Sequence, residues 1–359
     1  MGCAPLIELP EIEEFNHVIK KNYFAVALES QGKRPADERS KLTRGRQLED
    51  AVMEEVSIIG GISFLGVAII NRLLSGGYSV RAIVHNQREE EILKELQESG
   101  KILATSNHVA VIPMKTNLTE VGSLMEAFHG CTGVFHTGDF VDPCGLSGYT
   151  KSMAEIEVKM TENVLNACSR TGTVRKCLLT SSLLACIWRD GLSPVVDHES
   201  WSDESLCQDK RLWYALGKLR SEKTAWRISH DTKLNLATVC SALPVGPDFH
   251  TRNSTATLAY LKGAQEMLDR NLLASVDVGR LAEAHVRVFE AMNKTAHGRF
   301  LCYDRVLGRP EAEILARQIG MPPGNLSGDT INIPATRIQL SDRKLHILEQ
   351  SIRNCSDYA

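Results

Sequence analysis

From residue 56 to residue 240 the apolar positions of this chain follow two alternating rhythms. Short runs of mostly β-branched and other apolar residues read as strands: Val56–Ile59, Ser79–Val84, His108–Pro113, Gly133–His136, Cys177–Ser181 and Leu234–Cys240. Between them lie stretches with apolar residues three and four apart, which read as helices: Phe64–Ser75, Arg88–Ser99, Glu120–His129, Tyr149–Arg170 and Lys210–Ser229. Gly76-Gly77 stops the first of these. Strands separated by helices predict an α/β fold, a doubly wound parallel sheet with helices on both faces. After Cys240 the regularity is lost, and a smaller C-terminal lobe is expected over the strand ends, where ligands bind in such sheets.

The first strand runs into Gly60-Gly61-Ile62-Ser63-Phe64-Leu65-Gly66. Strand, glycine turn and helix together form a phosphate-binding arrangement. The first glycine permits the bend, the second a close backbone approach to a pyrophosphate, and the third close helix packing. The three places hold Gly60, Ser63 and Gly66, so the middle one departs from the pattern. Serine fits there if its φ is negative, and that is the expectation, because Gly60-Gly61 already supplies the bend. The turn makes the sheet a dinucleotide-binding Rossmann fold. The expected organisation is an N-terminal extension over 1–54, partly mobile, a cofactor domain over 55–241, and a mainly substrate-binding lobe over 242–359. Part of that lobe should return to the core. Within the extension, Gln31 to Asp50 is polar, carries Pro35 and reads as a linker.

Composition narrows the functional classes. A chain of 359 residues with 24% charged residues is ordinary for a soluble protein, and a net charge of −3 argues against nucleic acid as a partner. No stretch is apolar for long enough to span a membrane, and no secretory signal pattern opens the chain, so a cytoplasmic protein is expected. Met1-Gly2-Cys3 lacks the Ser or Thr that myristoylation requires at the sixth position, which is Leu6. The ten cysteines show no metal-ligand spacing; they read as reduced, mostly buried thiols, and no metal is expected. Asn253-Ser254-Thr255 and Asn325-Leu326-Ser327 fit the glycosylation pattern but mean little without a signal.

Candidate chemistry lies further along. Tyr214 and Lys218 stand four apart in an expected helix, hence on one face. An ammonium beside a phenol favours the phenolate and tunes it as a proton donor. Thr180-Ser181-Ser182 closes the fifth expected strand.

Taken in order, several motifs resemble the extended short-chain dehydrogenase/reductase family, in its plant cinnamoyl-CoA reductase-like and dihydroflavonol reductase-like branch. They are the turn at 60–66, Gly-Tyr-Ser-Val-Arg (77–81), Gly-Cys-Thr-Gly-Val-Phe-His (130–136), Thr-Ser-Ser (180–182), Trp-Tyr-Ala-Leu-Gly-Lys (213–218), Val-Gly-Pro (245–247) and Val-Asp-Val-Gly-Arg-Leu-Ala-Glu-Ala-His (276–285). The match covers about Glu55 to Tyr303. The resemblance implies a catalytic set of Ser182, Tyr214 and Lys218. Tyr214 would donate a proton, Ser182 would hold the developing oxyanion, and Lys218 would lower the Tyr214 pKa and bind the nicotinamide ribose.

For the cofactor it implies contacts from Gly60, Ser63, Phe64, Leu65, Gly66, His85, Arg88, Asn117, Leu118, Thr137 and Lys218. NADP is expected over NAD, because position 84 is valine, no acid follows before Glu89, and Arg88 is near. His85 occupies the family's arginine position, and Asn117-Leu118 its acid-leucine pair. The implied activity is NADPH-dependent reduction of an aromatic or phenylpropanoid-like aldehyde, ketone or acyl-CoA. This is the chemistry of plant lignin-type metabolism. Thioester-recognition features are missing: the family's His and Lys fall on Ala256 and Ala259, before Tyr260-Leu261-Lys262-Gly263, and its arginine falls on Gly279, with Arg280 displaced by one. Ser241 replaces a usual proline. The alternative reading is a cofactor-binding protein with little turnover and a regulatory role. The partner is a small-molecule carbonyl; monomer and homodimer both stay open.

Overall fold

The computed structural model of the chain describes residues 54–103, 110–138, 149–190, 194–252, 254–321 and 338–356. All of them lie in one compact unit, Met53–Ala359. The expectations for residues 1–53, for His108 and for the two Asn-x-Ser/Thr sites at Asn253 and Asn325 fall outside the described residues. The strands in chain order are β1 Glu55–Ile59, β2 Ser79–Val84, β3 Val111–Lys115, β4 Gly133–His136, β5 Lys176–Ser182, β6 Val195–Val196, β7 Asn235–Ser241, β8 Leu243–Val245, β9 Ala274–Asp277, β10 Gly298–Cys302, β11 Arg305–Val306 and β12 Gln339–Leu340.

Seven of these form the central sheet, in the order β10-β7-β5-β4-β1-β2-β3, and every neighbouring pair is parallel. Parallel strands need crossovers, and the crossover helices cover both faces. Side chains therefore alternate between two apolar cores. Ile59, Ile83, Val134 and Leu179 point into the core shared with helices Val121–Phe128, Lys151–Arg170 and Trp213–Thr232. Ile58, Ala82, Phe135 and Leu178 point into the other, which also holds residues of helices Phe64–Ser75 and Val278–Ala291. Those two helices pack on each other. At Gly133 a Cβ would lie 2.5 Å from the Phe289 ring, so only glycine lets Val278–Ala291 settle there.

The Rossmann sheet and its helices follow the sequence expectation closely, and three differences have physical reasons. β3 runs to Lys115 and passes through Pro113 rather than ending there. It is an edge strand paired only with β2, and a missing N–H is tolerated at an edge. The helix expected from Lys210 begins at Trp213, because Arg211 takes a left-handed φ of 53° and Leu212 N donates to Cys207 O to close the preceding helix. β10 was not among the expected strands, although part of the C-terminal lobe was expected to return to the core. Its run is interrupted by Arg299, which looks like a surface residue in sequence yet is 5% exposed.

Arg299 is buried because a carboxylate awaits it. Its Nε lies 2.8 Å from Glu222 Oε1 and its Nη2 3.2 Å from Oε2. Glu222 also accepts from Ser181 Oγ at 2.7 Å and Thr238 Oγ1 at 2.6 Å, and the guanidinium stacks 3.5 Å from the Trp201 ring centroid. This cluster ties β10, β7, β5 and helix Trp213–Thr232 together. Removing one partner of such a pair strands a charge in low dielectric. Glu222→Ala is expected to destabilise the fold by about 3–5 kcal/mol in urea denaturation, and the apolar double replacement Glu222→Leu/Arg299→Met is expected to recover most of that loss.

Candidate active site

Because the whole sheet is parallel, the carboxyl ends of its strands share one edge. That edge is where the sequence-predicted residues fall. Gly60 follows β1, His85 follows β2, Asn117-Leu118 come two and three residues after β3, Thr137 follows β4, and Ser182 closes β5. Strand order reverses between β1 and β4, which opens a crevice at their ends. The two ends touch: Thr137 N and Oγ1 both donate to Ile59 O, at 3.1 and 2.8 Å.

The turn after β1 has no room for side chains at two of its places. Gly60 has a left-handed φ of 81°, and a Cβ there would lie 2.7 Å from Gly138 Cα. A Cβ on Gly66 would lie 2.0 Å from Gly60 O. Ser63 sits differently. Its φ of −67° is one that any residue adopts, and its Oγ caps the helix by accepting from Gly66 N at 3.0 Å. The serine is thus unstrained, as expected, and its hydroxyl proton can still be donated. Phe64 and Leu65 form the first turn of the helix, both buried. A left-handed bend, glycine at the helix contact and a helix N-terminus aimed into the crevice fit a dinucleotide pyrophosphate.

Glu89, the first acid after β2, is brought back to the strand end. Glu89 folds back one helical turn, so that its Oε2 accepts from His85 N and pairs with His85 Nδ1, both at 2.9 Å. Burial pushes the Glu89 carboxyl up, but its hydrogen bonds with His85 outweigh this and hold it below the usual range. Arg88 stands exposed beside it in the first turn of helix Gln87–Glu98. Asn117 is spent locally: Oδ1 accepts from Thr119 N and Oγ1, and Nδ2 donates to Glu120 Oε1. Leu118 is buried in the core, and its carbonyl accepts from Asn163 Nδ2 at 3.2 Å.

Tyr214 and Lys218 do share a helix face, on Trp213–Thr232, and both are buried. That helix packs on β5 and on helix Lys151–Arg170. Lys218 Nζ lies 5.4 Å from the Tyr214 ring centroid and 2.8 Å from Glu157 Oε1. Of the two serines, Ser181 is committed to Glu222, whereas Ser182 Oγ accepts from Leu184 N at 3.2 Å and keeps its proton to donate. Thr180 Oγ1 donates to His285 Nε2 at 2.8 Å, since His285 Nδ1 must donate to Leu281 O; burial keeps this imidazole neutral, with its pKa pushed down to about 4. Sequence reasoning missed Glu157 and Tyr149. Only their contact with the Tyr-Lys helix marks them.

Arg280 turns away from any substrate role. It is engaged by Asp304 at 2.7 Å, Glu349 at 3.2 Å and Asp342 at 3.8 Å. Ala256 is buried and Lys262 exposed. Among the described residues no helix is long and apolar enough to cross a membrane, and no group of three His, Cys, Asp or Glu could hold a metal ion.

Comparison with known proteins agrees with this geometry. Residues 56–301 match the NAD dependent epimerase/dehydratase family. Cinnamoyl-CoA reductase 1 of Petunia hybrida is 32% identical over 272 residues, 73% of this chain and 76% of the relative. Tetraketide alpha-pyrone reductase 1 of Arabidopsis thaliana is 30% identical over 269 residues, 73% and 80% of the two chains. Among solved structures, vestitone reductase from alfalfa (Medicago sativa) superposes with a TM-score of 0.57 at 22% identity, covering 82% of this chain and 91% of that one. The yeast methylglyoxal/isovaleraldehyde reductase Gre2, complexed with NADPH, gives 0.60 at 18%, covering 82% and 92%. The chain therefore belongs to the NAD dependent epimerase/dehydratase family, the extended short-chain dehydrogenase/reductases, alongside the cinnamoyl-CoA reductase-like and dihydroflavonol reductase-like members, and is an NAD(P)H-dependent oxidoreductase.

Proposed function

We propose that this chain reduces a small aromatic, phenylpropanoid-like carbonyl with NADPH, and that Tyr214 is the proton donor. The observation that supports the reading is the buried Tyr214-Lys218 face on a helix that packs on β5, the strand that Ser182 closes. When bound, the reduced nicotinamide supplies a hydride to the carbonyl carbon. Negative charge then grows on the carbonyl oxygen. Ser182 Oγ–H donates to that oxygen, Tyr214 gives it a proton, and Lys218 holds the ribose while favouring the phenolate left behind. The amides and Ser63 hydroxyl at the start of helix Phe64–Ser75 hold the pyrophosphate.

An aldehyde or ketone fits this chain better than a CoA thioester. Ala256 and Ala259 stand where charged and polar recognition groups are expected, and Arg280 is held by three carboxylates. Residues 242–359 would mainly supply the substrate lobe, with part of them returning to the core. Cys131, Cys168, Cys177, Cys186, Cys207, Cys240 and Cys302 are free and buried, which supports a reducing, cytoplasmic setting.

Three outcomes follow from these assignments. Tyr214→Phe is expected to lower turnover by about 10²–10⁴-fold, the usual share of a general acid. Its fold and cofactor affinity should stay near wild type. A panel of aldehydes, ketones and acyl-CoAs followed by NADPH absorbance checks this, and comparable turnover in the two proteins overturns the assignment.

NADPH is expected to bind more tightly than NADH by about tenfold, or ~1.4 kcal/mol, in a fluorescence titration. Arg88→Ala should erase that margin. Glu89→Gln should widen it, because the Glu89 carboxylate, held against His85 just after β2, adds negative charge that would disfavour a 2′-phosphate bound near that strand end. Tighter NADH binding by the unaltered chain would reverse the cofactor assignment.

For Ser63→Gly the expected change in cofactor affinity is less than about tenfold, ~1.4 kcal/mol, because the native φ is relaxed and glycine costs an N-cap only a few tenths of a kcal/mol. A much larger gain would show that the native turn hinders the cofactor.

A further inference from the structure

A carboxylate is buried against the Tyr-Lys pair. Glu157, on helix Lys151–Arg170, is 4% exposed, and its Oε1 lies 2.8 Å from Lys218 Nζ. The Tyr149 hydroxyl donates to its Oε2. The Tyr149 ring in turn meets the Tyr214 ring edge-on, with centroids 5.0 Å apart. Gly217 makes this closeness possible: a Cβ there would lie 2.7 Å from the Tyr149 hydroxyl and 3.2 Å from Ala154 Cα. Buried Glu157, Lys218 and Tyr214, on two packed helices, and partly buried Tyr149, just before the first of them, thus form one cluster.

Burying a carboxylate is costly unless a partner compensates it, and here the partner is the lysine whose charge should tune the tyrosine. A lone ammonium stabilises phenolate; an ammonium already matched by a carboxylate stabilises it less. We propose that Glu157 is a positioning residue that neutralises Lys218 and so keeps the Tyr214 phenol protonated to higher pH than Lys218 alone would allow. For a reductase this is useful, since the donor must carry its proton when the carbonyl arrives. The kinetic part of this inference rests on the reductase reading above; the charge coupling does not.

Other ionisable groups face helix Trp213–Thr232: Glu204 pairs with Arg220 and Lys223, and burial pushes the Cys207 thiol and the Tyr260 phenol up. His136, at the end of β4, is bonded to Thr161, one helical turn beyond Glu157. Glu222, one turn beyond Lys218, is matched by Arg299. His285, behind β5, is bonded to Thr180 and Leu281. Cys186, on the short helix after β5, lies 3.1 Å from Arg299 Nη2. None of these contacts involves Glu157.

The test is an ultraviolet pH titration of tyrosine ionisation. Subtracting Tyr214→Phe from its parent isolates the Tyr214 signal, both in the native chain and in Glu157→Gln. With the carboxylate gone, the Tyr214 midpoint is expected to fall by about one pH unit or more, a tenfold rise in phenolate at a given pH. The alkaline limb of kcat/KM for NADPH-driven reduction should fall by the same amount. A purely structural role for Glu157 would lower the melting temperature and leave the midpoint where it was. An unmoved or raised midpoint in folded Glu157→Gln overturns the proposal.

If Glu157→Gln does not fold, Glu157→Asp withdraws the charge by one methylene. Its midpoint should fall by a smaller amount, and no fall at all again overturns the proposal. A lowered midpoint with no turnover in any variant leaves Glu157's role standing and sinks the reductase reading. Turnover with an unmoved midpoint does the opposite.

Discussion

Gly60 O fills the space where a Cβ on Gly66 would be, only 2.0 Å away. Helix Phe64–Ser75 can begin where it does only because that side chain is missing, and the rest of the cofactor edge depends on where it begins. The helix N-terminus then points into the crevice between β1 and β4. Gly60, in its left-handed conformation, lets Gly138 come close, and Thr137 locks the end of β4 to Ile59. Ser63 is tolerated at the middle place because the bend is made before it. At φ −67° its side chain costs nothing and serves as the helix cap.

Two buried carboxylates organise the other half of the site. Glu222 gathers Arg299, Ser181 and Thr238, and by taking Ser181 it decides which serine at the end of β5 remains for chemistry. Glu157 meets Lys218 from the neighbouring helix. Both charges sit in low dielectric, where an unmatched group would be prohibitive and a matched pair is geometrically strict. Helix Trp213–Thr232 is therefore held from two directions by ion pairs as well as by apolar packing. Tyr214 inherits its orientation from that constraint.

Sequence periodicity made most of the elements legible because their cause is local. The first helix, β2 and β4 fall on the boundaries that the pattern of apolar residues implies. The glycine turn and the Tyr-x-x-x-Lys spacing were legible for the same reason: each is a short-range stereochemical requirement. β10 was not legible, because Arg299 breaks its apolar run and its counter-charge lies 77 positions away. Nor was the contact that returns Glu89 to the end of β2. It is an i,i+4 fold-back of Glu89 onto His85, which matters only once the strand end is known to face a crevice.

What the sequence determined by itself, then, was the alternation of strands and helices up to Cys240, the phosphate turn and the face shared by Tyr214 and Lys218, all governed by steric and hydrophobic rules acting over a few residues. Tertiary structure decided which charges meet. Glu157 reads as one more acid on an amphipathic helix until that helix packs against Trp213–Thr232 and buries the carboxylate 2.8 Å from Lys218. Electrostatic partners in a protein interior are set by distance and desolvation in three dimensions, and neither quantity is encoded in spacing along the chain.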